Sequence, residues 1–522
     1  MQSKSPAVNK LLTATSSIPV WPGRYHDLTL AEAAVLSTEP MQRLRRLRQI
    51  GLAYHELPLS EHTRFSHSLG TSYWAMRMMD GVALHDDAVL NKMETRLGPD
   101  FSLRLLIRLF ALVHDIALLP LGHTMRFQLN LFEEHSFFDQ SMRNCLVRVV
   151  DQCSHRLAAA ASDAAERQAL VAAIEAHFEL VAAVTRAPRL VEGAAPTALT
   201  PEHSTDSIVA NIPILTFIYD LVHGVYSADL IDICVRDMFV AGRTWEMPVA
   251  LLSAGRALCC KPDDTSWPPK ARANGHGLRE IFRYGVNATK EGSAETAILT
   301  DLLHVHQTRF DLAEKAFYSR RKCVADAMLD KCIRRLRDSN VVGLRKLLDP
   351  PTLLRMGDDA LIDGLIELEK NLESNHRSLA ADIRDGALFE EILTVDATRH
   401  PGFNEMFGHL QSPSERTALE ARVAELLVGL NAEDVVVGIL PAQMQSKTPD
   451  TLVKWHDERV LPFHDLASEI NFPVAATSLA DQYQRLRRVV ISVSTNQAKS
   501  HRVVEASRIA LSQRHDLFDR AH

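Results

Sequence analysis

Cysteine is scarce in this 522-residue chain, and the seven present (145, 153, 234, 259, 260, 323 and 332) form no C-x-x-C pair. The odd count and the missing pair speak against a structural zinc site built on thiolates, and they predict reduced thiols in a cytoplasm. A basic excess is missing as well. The 58 Lys and Arg face 65 Asp and Glu, a net charge of −7, so no global electrostatic pull toward nucleic acid exists, although a local basic groove escapes such a sum. No apolar run approaches the roughly 18–20 residues that span a bilayer. The N-terminus has no apolar h-region, so neither a membrane span nor a signal peptide is expected. Internal repeats and low-complexity tails are absent too. What is present is an ordinary globular composition, 46% hydrophobic and 24% charged, long enough for two or more lobes and a large core.

Residues 1–20 are polar and expected to be loosely ordered. Helical text begins at Leu28. Met41, Leu44, Leu47 and Ile50 recur every three positions with arginines between them, predicting a helix from Pro40 to a stop at Gly51. Most of those arginines are expected on a solvated face. His67 opens an apolar helix, and further helices are expected near 85–96 and from about Leu103 to His114. Residues 154–212 read as an inserted alanine-rich helix plus a loop, with no visible chemistry. The core resumes over 214–222 and 226–237. Residues 245–290 are mixed strand and loop, and helices return from Thr296 through Arg334. Two β-rich runs, 434–440 and 489–494, lie among helices in the last third. The predicted architecture is therefore mostly α, with a helical catalytic core over 21–330 and a smaller C-terminal α+β lobe over 331–522.

The apolar run from Leu103 carries His114 and Asp115 side by side before it stops at Pro120. Burying an imidazole and a carboxylate at a helix end is costly unless something charged compensates them, either a metal ion or a neighbouring cation. The dipeptide alone is weak, because His-Asp occurs six times in the chain. Asp229 and Asp232 share one helical face, with Asp237 two turns further on. Taken alone, these carboxylates and Arg236 read as a salt-bridge network.

Taken together, R-F-S-H-S-L-G at 64–70, H-D at 114–115 and D-x-x-D at 229–232 with Arg236-Asp237 close behind form a specific, ordered set. It resembles the HD-domain deoxynucleoside triphosphate triphosphohydrolases, most strongly over about 40–140, 214–240 and 300–322, and more faintly at the strand Arg485–Val493. The resemblance implies an HD-domain helical core and one metal ion held by His67, His114, Asp115 and Asp229. Two imidazoles and two carboxylates suit Mn, Fe, Zn or Ni and leave positions open for water and a phosphate oxygen, with Mg as a further companion of the nucleotide phosphates. A carboxylate such as Asp229, shared between metal and water, would help position the nucleophile. His123 and His135 match histidines that protonate or stabilise the leaving oxygen. Gln49 and Asp237 fall where the family reads the 3′-hydroxyl, and Ile50 and Phe317 where it crowds out a 2′-hydroxyl. Arg64 and Arg309 match contacts to phosphates and base.

The chain departs from the family's pattern at six positions. Leu118 stands where a phosphate-contacting histidine is frequent, Arg126 where an acidic residue is expected, and Ser136 where a glutamate follows His135. Leu230 and Ile233 replace a phosphate-binding lysine and tyrosine, and Phe317 replaces a tyrosine. The activity implied by resemblance is hydrolysis of deoxynucleoside triphosphates to deoxynucleoside and inorganic triphosphate by water attack on the α-phosphorus. The implied assembly is a homo-oligomer activated by nucleotides. The alternatives are an HD-type nuclease or phosphodiesterase, and a nucleotide-binding sensor that has lost turnover.

Overall fold

The helix Leu103–Val113 buries nine of its eleven residues, and the other elements are layered around it. The computed structural model describes residues 3–122, 124–125, 134–191, 205–261, 263–268, 272, 278–372, 377–396, 402–427, 429–439, 450–472, 479 and 482–494. The N-terminal segment expected to be loose is ordered instead. It forms α1 (Pro6–Leu11) and an antiparallel hairpin of β1 (Ala14–Trp21) with β2 (Arg24–Thr29). The cause is burial, since Val8 and Leu11 are fully enclosed. β2 runs straight into α2 (Leu30–Leu36), whose first turn is closed by a reciprocal capping box between Thr29 and Glu32.

The helix predicted to reach Gly51 stops early. α3 (Glu39–Arg43) tightens into a 3-10 turn over Leu44–Arg46, Leu47 is extended, and Arg48 bridges to Thr63. Tertiary acceptors take over from helical ones: the Arg48 N–H donates to Asp358 Oδ2 at 2.7 Å and the Gln49 N–H to the His62 carbonyl at 2.9 Å. Arg45 and Arg46 are exposed as expected, whereas Arg43 is 1% exposed. Its guanidinium donates to the carbonyls of Ile116, Leu118, Leu353 and Met356.

Next come α4 (Arg64–Ala83), α5 (Asp87–Leu97), α6 (Leu103–Val113), α7 (Glu134–Ala160), α8 (Ala164–Val184) and α9 (Ala187–Val191). They are followed by α10 (Thr205–His223), α11 (Ala228–Val240) and α12 (Val249–Ser253). Within the segment read as an inserted helix and loop, the described helix α8 packs against core helices. The Asp163 side chain caps α8 and breaks the alanine-rich run, and α8 buries Leu170, Ile174, Phe178 and Val181 while packing on α6, α7 and α10. By length and composition Ile208–Val240 is apolar enough to cross a membrane, contrary to the expectation above. It is folded as two helices, α10 and α11, with 67% of its most apolar window buried inside the protein.

The chain continues with β3 (Gly255–Cys260), β4 (Ile281–Asn287), β5 (Thr289–Lys290), β6 (Ser293–Ala294) and α13 (Thr296–Leu312). A π-helical turn, Ala313–Phe317, leads into α14 (Arg320–Asp338). α15 (Leu344–Leu347), α16 (Pro350–Leu353), α17 (Asp358–Glu369), α18 (Leu379–Arg384), β7 (Glu390–Asp396), α19 (Phe403–His409) and α20 (Pro413–Leu426) follow. The last elements are β8 (Val435–Ile439), β9 (Leu452–Lys454), β10 (Val460–Pro462), α21 (Phe463–Glu469) and β11 (Arg488–Val493).

The fold is mostly α. The two β-rich runs of the last third are β8 and β11, adjacent in an antiparallel sheet ordered β7-β11-β8, with Ile491 opposite both Val437 and Leu393. This sheet closes a small core with α19 and α20. Residue 330, the expected boundary, falls inside α14, and β9 and β10 join β4 and β3 in one sheet ordered β10-β9-β4-β3. The apolar faces of the two segments are buried against each other in one large core.

Candidate metal centre

Three helix ends bring the motif residues together. His67 stands in the first turn of α4, whose N-cap is Thr63. His114 is the C-cap of α6, and Asp115 follows it. Asp229 lies in the first turn of α11, where the Ser227 side chain accepts the Leu230 N–H. α4 and α11 approach closely at Gly70: a Cβ there would fall 1.8 Å from Asp232 Oδ1. That proximity lets Asp232 bind Arg236 through both oxygens, at 2.9 and 3.0 Å, while facing His67 Nδ1 at 2.9 Å. The salt-bridge reading of these carboxylates therefore holds for Asp232 and Arg236, and Asp229 belongs to the histidines.

Each histidine has one ring nitrogen tied and the other free. His114 Nδ1 lies 2.8 Å from the Ala111 carbonyl, an acceptor that can only receive a proton, so Nε2 carries the lone pair. His67 Nδ1 donates to Asp232, so Nε2 is the nitrogen that would carry the lone pair once the ring loses its second proton. Both Nε2 atoms are buried without a hydrogen-bond partner. They face the carboxylates: His67 Nε2 lies 3.1 Å from Asp229 Oδ1 and 3.9 Å from Asp115 Oδ2. His114 Nε2 lies 3.7 Å from Asp115 Oδ2 and 3.9 Å from Asp229 Oδ1. Donors about 2.1 Å from a common ion stand roughly 3.0–4.2 Å apart, depending on whether they are adjacent or opposite. His67, His114 and Asp115 offer donor atoms within 4.8 Å of one another and could hold a metal ion, with Asp229 3.1 Å from His67 at their edge.

The electrostatics agree with this arrangement. Burial would raise the Asp115 carboxyl, but His114, Arg64 and His67 hold it below the usual carboxylate range. Burial is likewise overcome at Asp229, where His223, His67 and His114 hold the carboxyl well below its usual value. His114 is pushed down by burial. At His67 burial is outweighed by Asp229 and Asp232, which lift the ring to about 10. A bound cation would take the place of that proton.

The sequence-predicted partners are distributed as follows. Arg64 is 3% exposed and turned inward, donating to Asp115 Oδ2 at 2.6 Å and to the Gln49 carbonyl at 2.9 Å. Gln49 Oε1 is buried without a hydrogen bond. Asp237 Oδ1 meets His62 Nε2 at 2.7 Å, and its Oδ2 is buried and unbonded. Ile50 and Phe317 share one small apolar cluster with Ala53 and Ala316. Arg309 is half-buried in the last turn of α13. Leu118 is buried and fastened through its carbonyl to Arg43. Leu230 is buried and Ile233 half-buried on α11. His123, Arg126 and the side chains of His135 and Ser136 lie outside the described residues.

His223 was not legible in the motifs. It ends α10 with Nδ1 3.1 Å from Asp229 Oδ2. With His114 and Asp229 it forms a second set of donors within 4.8 Å of one another. Its position six residues before Asp229 was the available signal.

No family model matches the chain. Over short stretches it is similar to curated proteins. It is 34% identical over 94 residues to an uncharacterised protein of Methanocaldococcus jannaschii, covering 18% of this chain and 17% of that protein. It is 36% identical over 90 residues to the uncharacterised protein YwfO of Bacillus subtilis, covering 17% and 18%. It is 32% identical over 89 residues to the deoxynucleoside triphosphate triphosphohydrolase SAMHD1 of Xenopus laevis, covering 17% and 13%. The matched stretch is thus less than a fifth of each relative's length.

Proposed function

We propose that the protein is a metal-dependent hydrolase of deoxynucleoside triphosphates, releasing deoxynucleoside and inorganic triphosphate by water attack on the α-phosphorus. The observation that carries this reading is the pair of buried, unpartnered Nε2 atoms of His67 and His114 aimed at Asp115 and Asp229. A divalent ion held there (Mn, Fe, Zn or Ni) supplies a Lewis acid that activates water and polarises a phosphoryl oxygen.

The protein's own groups do the rest. His67, His114, Asp115 and Asp229 are the ligands. Asp232 and the Ala111 carbonyl fix the ring tautomers, and Arg64 orients Asp115. Asp229 also helps place the attacking water, and His123 and His135 protonate or stabilise the leaving oxygen. Gln49 and Asp237 each keep a buried oxygen without a hydrogen bond, and these are free to accept from a sugar hydroxyl. Ile50 and Phe317, already in one cluster, wall off a 2′-hydroxyl. Arg309 and Arg64 are assigned to contacts with the phosphates and base. The nucleotide is also a candidate activator of a homo-oligomer.

The test is to incubate metal-reconstituted protein with all four deoxynucleoside triphosphates, singly and mixed, and separate the products. Inorganic triphosphate with deoxynucleoside is the expected result. Cleavage of single-stranded DNA with no triphosphate release would overturn the reading.

A further inference from the structure

Leu121 adopts φ +59° and Gly122 φ +52°, two successive left-handed residues on the segment that follows His114 and Asp115. For a leucine that conformation is strained and persists only where its surroundings impose it. The restraint comes from far along the chain. Asp358, at the start of α17 and fully buried, accepts the Leu121 N–H at Oδ1 and the Arg48 N–H at Oδ2, each at 2.7 Å. Both arms lead to one guanidinium. A Cβ on Gly122 would come within 2.9 Å of Arg64 Nη2, so the turn packs directly on Arg64. Along the other arm, Gln49 follows Arg48 and its carbonyl accepts from the same Nη2 at 2.9 Å. Arg64 Nη1 in turn holds Asp115 Oδ2 at 2.6 Å.

These contacts form a closed ring, Asp358–Leu121–Gly122–Arg64–Gln49–Arg48, with the carboxylate at one pole and the arginine that orients a metal ligand at the other. We infer that Asp358 is a positioning residue of the metal centre: its carboxylate fixes where Arg64 stands and thereby the direction in which Asp115 presents its oxygens. No other side chain accepts these two backbone N–H groups among the described residues. This inference rests on the metal-centre reading but not on the reaction assigned to it.

The test uses the full chain, with Mn(II) binding followed by the spectroscopic signal of the free ion and backbone protection followed by amide exchange. Asp358→Asn keeps the shape but turns an N–H₂ toward one of two N–H donors. It is expected to weaken Mn(II) binding roughly tenfold or more and to speed exchange at Arg48 and Leu121. The control is Asp359→Asn. That neighbouring side chain is 80% exposed and reaches only the Arg48 guanidinium, so binding and exchange should stay as in the parent. If Asp358→Asn does not fold, Gly122→Ala disturbs the ring from the Arg64 side and is expected to give the same loss of affinity. Parent-like Mn(II) affinity in whichever variant folds overturns the role of Asp358, even if local exchange rises. A parent protein that takes up no Mn(II) overturns the metal-centre reading itself.

Discussion

His67 Nδ1 lies 2.9 Å from Asp232 Oδ2, and this contact decides which of its ring nitrogens faces the metal centre. Asp232 is in turn held by Arg236. Replacing Asp232 by Asn should let the ring rotate or change tautomer and should reduce metal affinity by roughly 10–100-fold. Asp232→Ala leaves Arg236 buried without its carboxylate and should cost about 3–5 kcal/mol of stability. Calorimetric metal titration and urea unfolding check the two outcomes separately.

His114→Ala and Asp115→Ala each remove a proposed ligand while leaving the apolar face of α6 intact. Metal uptake and nucleotide turnover should both be lost, with far-ultraviolet circular dichroism unchanged. Retained turnover in either variant would refute the site.

Gly70→Ala adds a methyl group where Asp232 Oδ1 stands 1.8 Å away and Arg236 Nη2 2.5 Å away. α4 and α11 must separate to admit it. The expected cost is at least ~1–3 kcal/mol, and the His67–Asp229 separation should widen with it. A parent-like denaturation midpoint together with parent-like metal affinity would contradict this.

A pH effect is expected away from the metal. His177 is fully buried, with Nδ1 2.7 Å from the Ala173 carbonyl and Nε2 accepting the Ser102 N–H at 3.2 Å, at the N-cap of α6. Burial lowers its pKa from 6.5 to about 4. Below pH 6.5 the unfolded chain binds a proton that the native ring resists. Stability is therefore complete above pH 6.5, declines as the pH falls, and loses no more below about 4. The full loss is as much as ~3 kcal/mol. Urea unfolding at pH 7.5, 5.5 and 4.5 should show this slope in the parent and a smaller one in His177→Gln.

Much of the site was legible because its signals are local. The apolar run over 103–113 reads as a buried helix from its composition, and it was the resemblance to the HD-domain family that implied His67, His114, Asp115 and Asp229 as one constellation. The arrangement around them was not legible, because its bonds join residues far apart in sequence. Arg43 looked like one of several solvated arginines, yet it binds carbonyls 73 and 75 positions away. The three-residue periodicity through Ile50 suggested a helix, but the Arg48 N–H found its acceptor 310 positions away. Local propensity does not register partners at such distances.

The sequence by itself determined the residue types that can hold a metal and the helices that carry them, since both follow from short-range pattern and donor chemistry. Only the tertiary structure decided which imidazole nitrogen is free, that His223 stands beside Asp229, and that Arg64 faces Asp115. It alone brought Asp358 beneath the turn at Leu121. These are matters of which buried polar group finds which partner, and burial leaves each group dependent on whatever the packed helices place within about 3 Å.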